Sequence, residues 1–176
     1  MLKLPAGKHR IKLAMWDGDP AYQPAVLAAA GKAENLSALT QGGDPQWGEA
    51  IPVKSKLAEK EDHAYVVDRI AVPFGNPHES RMRIGGFDFF EDGETAAVCT
   101  WDGDVWIVKG IDDDLDEVTW KRFATGQHEP LGLMIVNDVV YTVADDQITR
   151  YHDLNKDGEA DFYENFNNGM PATWTV

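Results

Sequence analysis

Beyond Asp62 the chain is written in short runs with an apolar–polar rhythm close to two: AYVVDRIAV, GGFDFF, TAAVCTW, DVWIV, VTWKRF, LGLMIV, VVYTV, QITRYH and DFYENF. These runs are rich in β-branched and aromatic residues. EDGE, WDGD, DDDLDE, ATGQHEP, NDV and ADD separate them, and all are tight-turn material. No useful length of this half holds a 3.6-residue period, so residues 63–176 are predicted to be all-β. The earlier part is mixed. KHRIKLAMW at 8–16 alternates like a strand, and DGDP turns the chain. An alanine-rich helical stretch in AYQPAVLAAAGKAENLSALT stops at Gly31. From Gln41 to about Asp62 the sequence is charged and turn-rich, as expected of a connector. The predicted division is therefore 1–62, the tail of a preceding domain plus linker, and 63–176.

Sliding the second half along itself reveals a repeat. GFDFFEDG at 86–93 matches GLMIVNDV at 132–139, an offset of 46 residues. DVWIV at 104–108 matches QITRY at 147–151, and RFATG at 122–126 matches NFNNG at 165–169, both at 43. A period in the low forties built from four short strands is the mark of a β-propeller blade, whereas helical solenoids of that length would show a 3.6 period. The chain is expected to carry about two blades of an incomplete ring. A ring takes about four to eight, so either other copies complete it or the chain is a fragment, the latter being favoured because GMPATWTV follows soon after a blade boundary.

Charge narrows the partners. Sixteen basic residues against thirty acidic ones give a net charge of −14. Such a surface repels nucleic acid and anionic lipid and attracts cations. No window approaches the ~20 apolar residues of a membrane span, and the first residues, MLKLPAGKHRIKL, are not a signal peptide. The single cysteine, Cys99, lies among apolar neighbours and reads as a buried strand residue.

The strongest chemical signal is DLNKDGEADFYE at 153–164. Side-chain oxygens fall at Asp153, Asn155, Asp157, Asp161 and Glu164, with Gly158 at the sharp turn, which is calcium-loop spacing. Calcium takes six to eight hard oxygens. Four of these side chains and the Glu159 carbonyl are local, and Glu164 would join only if the chain turns back. An EF-hand is the wrong context: DQITRYH upstream alternates like a strand, while Gly169 and Pro171 downstream would break a helix. The competing reading is a solvated acidic turn. DDDLDE at 112–117 lacks the order and the inner glycine, and reads as a solvated loop.

Other signals are thin. His9, His63, His78, His128 and His152 show no metal-ligand spacing. His128, in the turn GQHEPLGL, and Arg150, in QITRYHD, are the weak catalytic candidates. Trp101, Trp106 and Trp120 fall at strand positions and are expected in the core. No phosphate loop, nucleophile elbow or Cys-x-x-Cys-His haem motif occurs.

The stretch from RIGGFDFFEDGETAAVCTWDGDVWIVKG to DLNKDGEADFYENFNN resembles large bacterial β-propeller proteins of planctomycetes and their relatives. Those are in turn similar to the glucose/sorbosone dehydrogenases, soluble quinoproteins that use pyrroloquinoline quinone (PQQ) and calcium. The resemblance covers about residues 64–168. It implies a calcium-binding propeller segment of a sugar or polyol dehydrogenase-like parent, periplasmic or secreted, with a cytochrome c as possible electron acceptor. The 153–161 loop matches the DLNGDGEAD motif of these propellers except at Lys156. The family's catalytic histidine and quinone-binding arginines lie on later blades and do not map here, so this segment is expected to be inactive alone. The alternative is a non-catalytic propeller serving as a platform for carbohydrate or protein.

Overall fold

The computed structural model describes residues 3–58 and 65–169. The chain forms two compact units, Met1–Gln41 and Gly42–Val176.

In the first unit, a 3-10 turn at Pro20–Tyr22 leads into helix α1, Gln23–Ala30. The Asp19 carboxylate accepts the Ala21 N–H at 2.9 Å, a cap for amide groups that have no helical partner, and a proline sits in the first turn of each helix. The helix ends at Gly31 as predicted, and a second 3-10 turn spans Ser37–Thr40. The strand expected at 8–16 does not form. Ile11, Leu13 and Met15 are exposed, and a strand without a partner ladder leaves its backbone groups to water.

The second unit is all-β. Eight of the nine predicted runs form strands: β2 Ile84–Phe89, β3 Ala96–Thr100, β4 Val105–Lys109, β5 Val118–Ala124, β6 Gly132–Val136, β7 Val139–Val143, β8 Ile148–His152 and β9 Phe162–Asn167. The ninth run, of which Ala64 lies outside the described residues, makes only one isolated bridge, Arg69 to Lys56. In its place the supposed connector supplies β1, Ile51–Val53, which pairs with β5 and places Ile51 and Val53 against the core. Two antiparallel sheets result, ordered β1-β5-β4-β3-β2 and β6-β7-β8-β9. Strands β2–β5 and β6–β9 are thus two four-stranded meanders of the same order. Among the described residues no helix is long and apolar enough to cross a membrane.

Cross-strand rows define the faces. On the first sheet, Asp88, Ala97, Ile107 and Lys121 stand side by side; on the second, Met134, Tyr141, Arg150 and Glu164 form the matching row. Position by position these rows are 46, 44, 43 and 43 residues apart, the spacing of the sequence repeat. Yet they are placed differently. The first sheet turns the face of Ala97, Cys99, Val105, Ile107 and Phe123 toward the second, which answers with Leu133, Ile135, Val140, Tyr151 and Tyr163, the face opposite to its Met134 row. The sheets therefore stack head to tail, unlike faces together, rather than as a two-fold sandwich. The first sheet's remaining face, with Ile51, Val53, Val98, Trp106, Val108, Val118 and Trp120, packs against Val72, Met82, Ile111 and Leu115 of the same chain. Trp106 and Trp120 are core residues as predicted, whereas Trp101 is exposed with the Arg83 guanidinium 4.5 Å over its ring. Cys99 is fully buried, and burial pushes its thiol up to about 11. In DDDLDE the four aspartates and Glu117 are exposed, but Leu115 plugs the core.

Candidate metal centre

The 153–161 loop joins β8 to β9. Its backbone folds tightly because Lys156 and Gly158 adopt left-handed φ of 63° and 85°. Asp153 organises the turn: one carboxylate oxygen accepts the Lys156 and Asp157 amides at 2.7 and 3.2 Å, the other the Gly158 amide at 2.9 Å. Asn155 Oδ1 accepts the Asp157 amide at 3.1 Å, and Asp157 Oδ1 accepts that of Glu159 at 2.9 Å. Asp161 closes the loop by accepting the Leu154 amide at 2.7 Å. Five of the six predicted ligand residues are thus gathered in one turn.

The sixth is elsewhere. Glu164 sits on the outward face of β9, where its carboxylate accepts from Arg150 Nε and lies against His152 Nε2, each at 2.7 Å. These partners, His152 first and Arg150 second, hold the Glu164 carboxyl below the usual glutamate range. Arg150 is committed to this pair and hangs over the rings of Tyr141 and Phe166. His128 is exposed, on the turn before β6, and only its backbone carbonyl is engaged, accepting the Asp145 amide at 3.1 Å. The two catalytic candidates do not share a site.

The arrangement also includes residues the motif did not reveal. Residues 42–47 run across the loop as a strap. Gly43 donates its N–H to Asp161 Oδ1 at 2.9 Å, and its carbonyl accepts from Asn155 Nδ2 at 2.6 Å. The buried Glu159 side chain points away from the loop and accepts the Gln46 and Trp47 amides at 2.6 and 3.0 Å. Lys121 of β5 completes the clamp, donating to the Asp157 carbonyl at 2.7 Å with Glu159 at 3.6 Å. Gly42, at φ 96°, has no room for a side chain: a Cβ would stand 2.9 Å from both Asp161 oxygens. A cleft of about 700 Å³, floored by Ile107, Phe123 and Tyr151, opens beside Asp153, Asp157 and Lys121. The strap was legible only as a glycine-rich turn, because its partners lie more than a hundred residues along the chain.

The donor set is hard oxygen, the chemistry calcium selects. Each carboxylate offers about four lone-pair sites, so one to three amide bonds leave acceptor capacity for an ion. Among the described residues no three His, Cys, Asp or Glu side chains already converge as a metal cage. The loop's other donors are an asparagine oxygen and a backbone carbonyl. No residue of this chain is assigned to PQQ, and Arg150, one of the two catalytic candidates, is engaged by Glu164.

A scan of protein-family models, a search of curated proteins and a search of solved structures each return no match to this chain.

Proposed function

We propose that this chain is a calcium-binding β-propeller segment in which the 153–161 loop holds the ion as a structural staple. The observation that carries this reading is the loop itself. Asp153, Asn155, Asp157, Asp161 and the Glu159 carbonyl surround a turn whose glycine is left-handed, at the join of two strands and a strap. Head-to-tail stacking of two like meanders supports the propeller part, since blades around an axis of more than two-fold order meet through unlike faces. Bound calcium would supply positive charge that draws the carboxylates together and fixes the strap through Asp161 and Asn155. Its free energy then contributes to folding rather than to catalysis, because all its ligands are local.

The resemblance extends this to a parent protein: a periplasmic or secreted quinoprotein that oxidises a sugar or polyol and passes electrons to an acceptor such as cytochrome c. In that parent PQQ is bound by residues beyond those assigned here, and this segment has no catalytic step of its own. The other reading, a non-catalytic platform for carbohydrate or protein, differs in one measurable respect. A dehydrogenase parent loaded with PQQ reduces a redox dye when given sugar, and a platform does not.

Calorimetric titration of calcium into chelator-stripped protein, with a thermal melt alongside, tests the staple. The expected result is one site of micromolar affinity or tighter with a raised Tm, lost in Asp157→Ala. No heat and no shift in Tm would reduce the loop to an acidic turn and overturn the reading.

A further inference from the structure

The apolar interior between the two sheets does not run to their ends. It packs Val105, Ile107 and Phe123 of the first sheet against Leu133, Val140 and Tyr151 of the second. Two residues beyond Ile107 on β4, and two before Phe123 on β5, the same face of the first sheet carries Lys109 and Lys121, diagonal neighbours across the strand pair. There the sheets part, and the cleft of about 700 Å³ opens over Ile107, Phe123 and Tyr151.

Lysines on the inward face of a sheet call for a partner, because an ammonium is a compact, strongly hydrated charge. Lys121 has its own in the Asp157 carbonyl and Glu159. Lys109, at the mouth of the cleft, makes no ion pair among the described residues. Lys156 brings a third cation to the lining from the 153–161 loop, and it too is without an ion pair there. Its φ of 63° is one that glycine adopts at less cost, so the chain keeps this side chain against its backbone preference. Four aspartates also line the cleft, but each already accepts a backbone amide: Asp92 from Thr95, Asp138 from Glu91, Asp153 from Lys156 and Asp157 from Glu159, at 2.9, 3.1, 2.7 and 2.9 Å. The acids are met by N–H groups, and two of the three cations are not met by any acid.

An apolar floor with a few fixed polar groups, in a volume of this size, is the make-up of a small-molecule site. We infer that the cleft binds a small organic monoanion, its apolar body on Ile107, Phe123 and Tyr151 and its carboxylate or sulfonate head on the Lys109 and Lys156 ammoniums. Lys121 adds positive potential beside the head while keeping its own partners. Neither the propeller nor the calcium reading is a premise of this site, although an ion on Asp153 and Asp157 would add positive charge to one wall and tighten the anion.

Anilinonaphthalene sulfonate, an aromatic anion that fluoresces on leaving water, is the probe. It is titrated into the 1–176 chain at low salt, once in chelator and once in calcium. One dye per chain with a micromolar Kd is expected in at least one of the two buffers, weakening as salt is raised. Lys109→Gln and Lys156→Gly should each raise Kd roughly tenfold, the worth of one hydrogen bond to a charged group. N-phenylnaphthylamine, a similar body without the charge, should bind more weakly by at least as much. Lys156→Gly also frees a left-handed position, so its Tm should hold or rise, which separates lost binding from lost fold. No binding in either buffer would overturn the site. So would dye uptake that ignores both substitutions, which would place the dye on the exposed apolar face of Met134, Val136 and Phe166 instead. A failed calcium titration alongside intact, lysine-dependent dye binding would remove the staple and leave the anion site standing.

Discussion

The two meanders share strand order and repeat spacing but not surroundings, and their sequences differ accordingly. Strand β3, AAVCT, is buried at all five positions because sheet two covers one face and Val72, Met82 and Leu115 pack on the other. Its counterpart β7, VVYTV, has Val140 and Thr142 buried and Val143 exposed. Small residues suit a strand packed on both sides at interior density, while larger ones suit a face still open. The polar centres differ in the same sense. In the first sheet Asp104 is 3% exposed and ion-paired to Arg122, with the Ser80 and Thr125 hydroxyls on the same carboxylate and Trp47 stacked 4.7 Å from the guanidinium. In the second, Gln147 and Asn165 hold those places, and the ties there are neutral, Gln147 to Thr149 and Thr149 to Gln127 at 2.8 Å. One repeat thus yields a fully enclosed unit with a buried ion pair and a half-open unit without one.

The largest effect should come from breaking that asymmetry at its centre. Asp104→Ala leaves the Arg122 charge buried without its partner and is expected to cost about 3–5 kcal/mol in urea denaturation, whereas Gln147→Ala at the equivalent place should cost about 1 kcal/mol. Equal costs would show that the two sites are energetically alike despite their chemistry. Calcium comes next. At a hundred times Kd it should add about 2.7 kcal/mol to stability, and strap variants should lose part of that gain. Gly42→Ala forces a Cβ onto Asp161 and takes a left-handed φ from glycine, for about 1–3 kcal/mol, measured with and without calcium.

Acid should separate the sheets by pH. Burial lowers the pKa of His78, which packs against Trp47 and Trp106 on the first sheet, below its ordinary 6.5, so the folded state takes up its proton less readily than the unfolded chain. Its contribution is present above pH 6.5 and lost as pH falls toward the folded value. Glu164 on the second sheet is depressed below 4.5 by His152 and Arg150, and its contribution fades only under still more acid conditions. Melts between pH 8 and 3 should show His78→Gln flattening the decline just below 6.5 and Glu164→Gln flattening that below 4.5. The smallest effect is expected on the open face. Val143→Ala should change stability by about 0.5 kcal/mol or less in the 1–176 chain, and a much larger loss would mean the face is already covered.

The strands were legible because each run carries its own alternation and its own turn residues, and the oxygen-rich loop because Asp153 to Asp161 are consecutive in one turn. The misses share a cause. KHRIKLAMW alternates well enough for a strand but finds no partner, and IPV, within a charged stretch, becomes β1 because the edge of β5 is there to receive it. The motif pointed to the Glu159 backbone carbonyl and was silent on its carboxylate, which accepts the Gln46 and Trp47 amides. Glu164, in the twelfth position of the loop, follows the strand and faces Arg150.

The order of residues alone was enough for the local units: eight strands, their turns, the repeat that makes two meanders, and a cluster of hard oxygens at calcium spacing. These follow from side-chain period and turn chemistry, which act over a few residues. The meeting of unlike faces, the use of residues 42–53 as strap and first strand, and the exposure of one sheet face emerge only when the units pack. Those outcomes depend on pairings such as Gly43 with Asp161 and Ile51 with Trp120, made between residues far apart in the chain. Such pairings form only where backbone and apolar surface left over by the local units find each other.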